Sequence, residues 1–131
     1  MQVSARILVV DDEPVACRTC TRALAADGYE VTVASTREEA LRRIEKERYD
    51  VALLEVKTPG AGGLRVLRAI RSASPQTDVV VISARPTLDS AKESIRLGAF
   101  EYMPKPLAPQ RLRNVVSQAL ACKPWKIQER C

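Results

Sequence analysis

Five short apolar segments alternate with five segments of helical periodicity along this chain of 131 residues. The apolar segments, predicted to be strands, lie at residues 6–10, 30–34, 50–54, 78–82 and 100–103. The helical segments are predicted at 15–26, from 36 onwards, and at 64–72, 87–97 and 109–121. Short apolar strands joined by helices are typical of a parallel sheet that is covered on both faces. The sequence therefore predicts a doubly wound α/β fold with a five-stranded parallel sheet.

Local signals mark the ends of several predicted helices. Pro14 occupies a position that suits the start of the first helix, and Gly28 is expected to end it. Thr36 and Glu39 have the spacing of a capping box, and Gly98 follows the fourth helix. The length fits one domain. We place this domain at residues 1–121, with 122–131 as a C-terminal tail or the start of a linker.

Charge and hydropathy argue against membrane and nucleic-acid functions. No apolar run is long enough to cross a bilayer, and residues 7–10 are too short for the core of a signal peptide. A cytoplasmic location is therefore expected. The net charge of +5 is spread along the chain, and no nucleic-acid-binding motif occurs. We expect no direct binding of nucleic acid and no contact with a membrane.

The pair Cys17-x-x-Cys20 is open to three interpretations. It could be a redox pair or half of a zinc site. The chain contains no histidine, and the other two cysteines lie near the C-terminus. Free cysteine commonly behaves as a small apolar residue. We therefore predict reduced, partly buried thiols on one face of the first helix.

Polar residues follow the predicted strands at the places where a parallel sheet carries its functional crevice, beyond the carboxyl ends of the strands. They are Asp11, Asp12, Glu13, Glu55, Ser83 and Lys105, with Ala84 and Pro106 as direct neighbours. Clustered carboxylates repel one another, so they usually hold a hard cation or an ammonium group. A hydroxyl and an ammonium facing them would suit a phosphoryl group, whose oxygens need donors and positive charge.

Each of these residues also has an ordinary structural interpretation. Asp11 and Asp12 could cap the first helix, since carboxylates favour a helix N-terminus. Ser83 could be a strand-end hydroxyl, Lys105 a solvated loop charge and Tyr102 a core residue. Their joint placement at one sheet edge favours a binding site.

Motifs in the predicted order and spacing resemble those of the receiver domains of two-component response regulators, the CheY-like superfamily. They are Val9-Val10-Asp11-Asp12-Glu13-Pro14, the segment 50–55 ending in Glu55, Pro59-Gly60, Val81-Ile82-Ser83-Ala84 and the segment 98–106. The resemblance extends from about residue 6 to residue 121. It implies a flavodoxin-like (βα)5 sandwich and a signalling module rather than an enzyme.

The resemblance also implies roles for individual residues. Asp11, Asp12, Glu55 and the backbone carbonyl of Lys57 would hold Mg2+. A phosphoryl site would be contacted by Ser83, Ala84 and Lys105, and a conformational switch would involve Ser83 and Tyr102. The Lys105-Pro106 bond is cis in the family, which proline permits at modest cost.

The sequence departs from the family at the phosphoacceptor position, where aspartate is replaced by Glu55. The extra methylene extends the carboxylate by about 1.5 Å, and a displacement of about 1 Å can slow an in-line reaction about a hundredfold. Our hypothesis is that Glu55 mimics the phosphorylated state by reaching toward Lys105 and Ser83. Lys57 is a second departure: its ammonium could compete with Mg2+, so the metal could be replaced by a lysine, or the side chain could point to solvent.

Three functions follow, in order of preference. The first is an atypical or phosphomimetic pseudo-receiver that binds a downstream output protein through the face formed by the fourth helix, the fifth strand and the fifth helix, with a homodimer through that face as an option. The second is a phosphoaccepting, Mg2+-dependent receiver served by a sensor histidine kinase. The third is a small flavodoxin-like enzyme. It ranks last because the chain lacks a glycine-rich phosphate loop and a histidine base.

Overall fold

The computed structural model of the protein describes residues 4–56 and 61–122. The strands are β1 (Arg6–Val10), β2 (Glu30–Ala34), β3 (Val51–Val56), β4 (Asp78–Ser83) and β5 (Glu101–Pro104). The helices are α1 (Pro14–Ala25), α2 (Arg37–Lys46), α3 (Ala61–Ala73), α4 (Leu88–Arg96) and α5 (Pro109–Ala121). The five strands are parallel and alternate with the helices, which confirms the predicted architecture.

The strand order, β2-β1-β3-β4-β5, reverses direction at β1. The chain passes from β1 outward to β2 and then returns to the other side of β1 to form β3. Connections leave the carboxyl ends of β1 and β3 toward opposite faces, and a crevice opens between them. The register pairs Val10 with Leu54, so the residues that follow them, Asp11 and Glu55, lie side by side at this crevice.

Two apolar layers cover the sheet, one on each face, because successive strand residues point to opposite sides. On one face, Ile7, Val9 and Leu53 share an apolar layer with Leu24 of α1 and Leu112 of α5. The alternate strand residues face the other helices, and the described members of that layer include Leu8, Leu54, Val81, Ile44 and Ile70. Within residues 4–56 and 61–122, no helix is long and apolar enough to cross a membrane.

The helix starts follow the predicted local chemistry. Pro14 stands at the first position of α1, and Gly28, with a φ of +89°, follows its end. The Thr36 hydroxyl accepts a hydrogen bond from the Glu39 backbone N–H at 3.1 Å. The Glu39 carboxylate accepts a hydrogen bond from the backbone N–H of Ser35 rather than from that of Thr36. The capping box is therefore present with its second bond shifted by one residue.

Three strands end later than the apolar pattern predicts, and for β5, expected at 100–103, the difference is the single residue Pro104. β3 was expected at 50–54 and β4 at 78–82, but the ladder continues through the pairs Glu55 with Ile82 and Val56 with Ser83. A prediction from apolar periodicity ends a strand where polar residues begin. In the structure, hydrogen bonds to the neighbouring strand extend it past that point. Glu55 and Ser83 therefore lie within strands, which holds their backbones in place. Helix α3 likewise begins three residues before its predicted start.

Substitution of Gly98 is expected to destabilise the protein more than substitution of Gly28. Both have a positive φ, +103° and +89°, so alanine at either position costs about 1–2 kcal/mol. A Cβ at Gly98 would also lie 3.1 Å from Arg71 Nε, whereas one at Gly28 meets nothing within 4 Å. Arg71 cannot move freely because it donates to the carbonyls of Pro75 and Thr77. Urea unfolding of the two alanine variants measures the difference, and equal losses would contradict this account.

Candidate functional site

Three carboxylates meet at the crevice between β1 and β3. Asp11, Asp12 and Glu55 each offer an oxygen, and these oxygens lie within 4.8 Å of one another. The Asp11 and Glu55 side chains are only 6% and 8% exposed, whereas Asp12 is exposed. The Glu13 backbone N–H donates to Asp11 Oδ1 at 3.0 Å, which fixes that carboxylate at the start of α1. The convergence predicted from the strand ends is therefore present.

Lys105 reaches this cluster from the loop that follows β5. Its ammonium lies 2.8 Å from Glu55 Oε2, 3.0 Å from Asp11 Oδ2 and 2.9 Å from Glu13 Oε1. The Lys105 side chain is 12% exposed, and its bond to Pro106 is cis, as expected. Glu55 thus reaches Lys105, as the hypothesis for this residue requires, and the two form an ion pair. The Lys57 ammonium, considered above as a competitor of Mg2+, lies outside the described residues.

The protonation of the cluster follows from burial and from close opposite charges. Burial raises the pKa of Glu55, and the neighbouring Asp11 carboxylate acts in the same direction, while Lys105 opposes both. Burial alone would lower the pKa of Lys105. Its hydrogen bonds to Glu55, Glu13 and Asp11 outweigh that effect, and the pKa is raised. Lys105 is therefore a permanent cation at neutral pH.

The donor set fits a hard divalent cation. All three groups of the cluster are carboxylates, and Mg2+ prefers oxygen ligands, usually one or two carboxylates with several waters. Asp11, Asp12 and Glu55 are the described residues that would hold it. The predicted carbonyl ligand, Lys57, lies outside the described residues. Lys105 contacts two of the three carboxylates, so an entering cation would compete with its ammonium.

The remaining predicted site residues lie on β4 and β5. Ser83 is fully buried at the end of β4, and its hydroxyl accepts the backbone N–H of Arg85 at 3.1 Å. Ala84 follows it and is exposed. Tyr102 of β5 is half-buried and packs against the core, and its hydroxyl donates to Ser90 Oγ on α4 at 3.2 Å. Tyr102 is therefore a partly buried residue that ties β5 to α4, and its role in a switch stays a prediction.

The cysteines of α1 are free thiols, as predicted. Cys17 is half-buried and donates to the Asp11 carbonyl at 3.2 Å, and Cys20 is buried. Burial and the nearby Asp11 carboxylate raise the pKa of Cys17, and burial raises that of Cys20 to about 12. Because the thiolate is the reactive form, both are poor nucleophiles at neutral pH.

The contact between Glu13 and Lys105 was not predicted from the sequence, although Glu13 directly follows the two aspartates. A carboxylate before a helix suggests a cap, yet Glu13 makes no side-chain cap bond to α1. Its carboxylate instead contacts Lys105, which is 92 residues away in the chain. No signal within the first strand and helix could have revealed that partner.

Comparison with known proteins places this chain in a family. The family model described as the response regulator receiver domain matches residues 7–117. The alginate biosynthesis transcriptional regulatory protein AlgB of Pseudomonas putida is 33% identical over 115 residues, which are 88% of this chain and 26% of that protein. The response regulator MprA of Mycobacterium ulcerans is 36% identical over 110 residues, 84% of this chain and 47% of that protein. The chain thus spans less than half the length of both regulators.

Solved structures show the same fold. A CheY-like receiver domain protein from Methanospirillum hungatei superposes with a TM-score of 0.83 at 30% identity, over 90% of this chain and 94% of that one. A response regulator from Thermotoga maritima gives a TM-score of 0.86 at 28% identity, over 91% and 99% of the two chains. These likenesses confirm the predicted flavodoxin-like (βα)5 sandwich.

Proposed function

The chain belongs to the response regulator receiver domain family, and from this premise we propose that it is a pseudo-receiver of two-component signalling. In this proposal Glu55 occupies the phosphoacceptor position and imitates the phosphorylated state. The observation that carries it is the contact of the buried Glu55 carboxylate with Lys105 at 2.8 Å. The register supports the position, because Glu55 lies beside Asp11 at the crevice.

The side chains of the site support a phosphomimetic role. In a receiver, Lys105 and Ser83 would hold the oxygens of a phosphoryl group. Glu55 instead carries its negative charge about one methylene, roughly 1.5 Å, further out than an aspartate would. That charge already has the lysine as its partner. The Glu55 charge shifts the equilibrium between the inactive and active conformations only by the difference between its interaction free energies in the two.

Transmission from the site to the surface would run through Ser83 and Tyr102. Ser83 ends β4 and pairs with Val56, the residue after Glu55. Tyr102 lies on the adjacent strand β5, and its hydroxyl donates to Ser90 of α4. A shift of Ser83 toward the Glu55 carboxylate would change the packing beneath Tyr102. The hydrogen bond to Ser90 would pass that change to α4.

A phosphoaccepting receiver is the alternative, and the family match is equally consistent with it. A sensor histidine kinase would be the phosphoryl donor, and Mg2+ held by Asp11, Asp12 and Glu55 would neutralise charge on the phosphoryl oxygens. Enzymatic activity in the ordinary sense is not proposed, since the relatives described above are regulators. The two receiver functions are separated by measuring phosphate incorporation from a small acyl phosphate by the native chain and by Glu55→Asp.

The output surface that we propose is the face of α4, β5 and α5. On α4, Leu88 and Ile95 are 70% and 50% exposed, whereas the buried positions are Ser90 and Ser94. Residues seven apart lie on the same side of a helix. A helix that exposes its large apolar residues while burying serines is suited to contact a downstream protein or a second copy of this domain. The relatives named as transcriptional regulators suggest an output in transcription.

We expect the double substitution of Leu88 and Ile95 by glutamine to abolish self-association and leave folding intact. Exposed side chains contribute little to stability, so the free energy of unfolding should change by less than about 0.5 kcal/mol. Sedimentation velocity over a range of protein concentrations measures the dimer. Val15→Gln is the matched control, because Val15 is 61% exposed but lies on α1. A native chain that stays monomeric throughout would exclude the homodimer.

A further inference from the structure

The three carboxylates that contact Lys105 differ in their relation to the candidate cation site. The side chains of Asp11 and Glu55 are largely covered and, with Asp12, supply the group of oxygens that could hold a cation. Glu13 is outside that group, and its side chain is 56% exposed. Glu13 is therefore the carboxylate that can keep its contact with Lys105 when the other two bind a metal ion.

A divalent cation and the Lys105 ammonium cannot share the inner carboxylates without cost. The ammonium lies 2.8 Å from a Glu55 oxygen and 3.0 Å from an Asp11 oxygen, so a cation on those oxygens would stand within a few ångströms of a like charge. Repulsion at such distances is strong where water is scarce. The ammonium must therefore withdraw, and a withdrawn ammonium without an anionic partner would oppose cation binding.

We propose that Glu13 is a positioning residue that retains the Lys105 ammonium when a divalent cation enters the site. It raises the affinity of the site for the cation by keeping Lys105 paired as the lysine leaves Asp11 and Glu55. The proposal rests on the cation site described above and goes beyond it by assigning regulation of that site to a residue outside the ligand set. The absence of a side-chain cap bond on α1 supports this role, because the Glu13 carboxylate is committed to Lys105.

The test compares Mn2+ affinity by isothermal titration calorimetry for the native chain, Glu13→Gln and Glu13→Asp. Glu13→Gln removes the charge, whereas Glu13→Asp keeps it but shortens the side chain by about 1.5 Å. Aspartate is also a strong N-cap residue, so it favours the N–H groups of α1 over Lys105. The three proteins are measured again in a Lys105→Gln background, and thermal unfolding of each confirms that it is folded.

We expect Glu13→Gln to raise the Kd for Mn2+ about threefold to fivefold, which corresponds to the free energy of one partly exposed ion pair. Glu13→Asp should resemble Glu13→Gln rather than the native chain, and the difference between glutamate and aspartate should vanish in the Lys105→Gln background. Native affinity in Glu13→Asp, or a glutamate–aspartate difference that persists without Lys105, overturns the role of Glu13 alone. Absence of Mn2+ binding to the native chain and to Lys105→Gln overturns the cation site and this proposal together.

Discussion

Glu55→Asp is expected to incorporate phosphate from a small acyl phosphate with Mg2+ at least about a hundredfold faster than the native chain. The substitution withdraws the carboxylate by about 1.5 Å from Lys105 and opens space for a phosphoryl group between them. In-line attack depends steeply on position, and a displacement of about 1 Å can cost a hundredfold in rate. Radiolabelling, or the mass of the intact protein, measures the phosphate taken up.

The control for this experiment is Glu55→Asn, which has the size of aspartate without a nucleophilic carboxylate. We expect no label on Glu55→Asn, so any label on Glu55→Asp is assigned to residue 55. Labelling of Glu55→Asp alone means that the pocket is intact and that Glu55 prevents its chemistry, which supports the pseudo-receiver. Labelling of the native chain at Glu55 at a similar rate would overturn the phosphomimetic proposal and favour a working receiver.

Lys105→Met is expected to lower the free energy of unfolding at neutral pH by about 2–3 kcal/mol. It removes the cation that pairs with the buried carboxylates of Asp11 and Glu55, and an uncompensated buried charge is costly. The raised pKa of Lys105 means that its stabilising effect is fully present below the ordinary lysine pKa of about 10.4. The effect is lost only as the pH rises through the higher pKa of the folded state. Urea unfolding at several pH values measures these changes.

The deficit of Lys105→Met should shrink as the pH falls. Burial raises the pKa of Glu55, so the folded state holds this proton more tightly than the unfolded chain and gains stability in acid. Removal of Lys105 should raise the pKa of Glu55 further, because the lysine acts to lower it. The double variant with Glu55→Gln should recover part of the lost stability. Lys46→Met, an exposed lysine on α2, is the matched control and should change stability by less than about 0.5 kcal/mol. An equal loss in both lysine variants would contradict the account.

The proposed binding of a cation to the carboxylates links these two predictions. In the native chain the Lys105 ammonium neutralises Asp11 and Glu55. In Lys105→Met a divalent cation could neutralise these carboxylates instead. Mg2+ should therefore stabilise Lys105→Met more than it stabilises the native protein, since no ammonium has to leave. Equal stabilisation of both proteins would mean that Lys105 does not compete for the site.

The architecture, and the edge of the sheet where the carboxylates meet, could be predicted from the sequence. Apolar strands and amphipathic helices are patterns of neighbouring residues, and they largely decide the fold class because each element must bury its apolar face. Parallel strands carry their ends to one edge, so Asp11, Glu55, Ser83 and Lys105 could be placed together without coordinates. The family motifs then indicated the expected role of each.

The pairing of those residues is visible only in the folded structure. Lys105 and Asp11 are 94 residues apart, and only the packed sheet shows that the ammonium enters among the carboxylates. Glu13 turns toward Lys105 instead of capping α1, and β3 continues through Glu55. Such choices depend on burial and on partners from distant strands, because a charged side chain taken out of water must find an opposite charge. Local sequence patterns do not indicate which opposite charge a given buried side chain will contact.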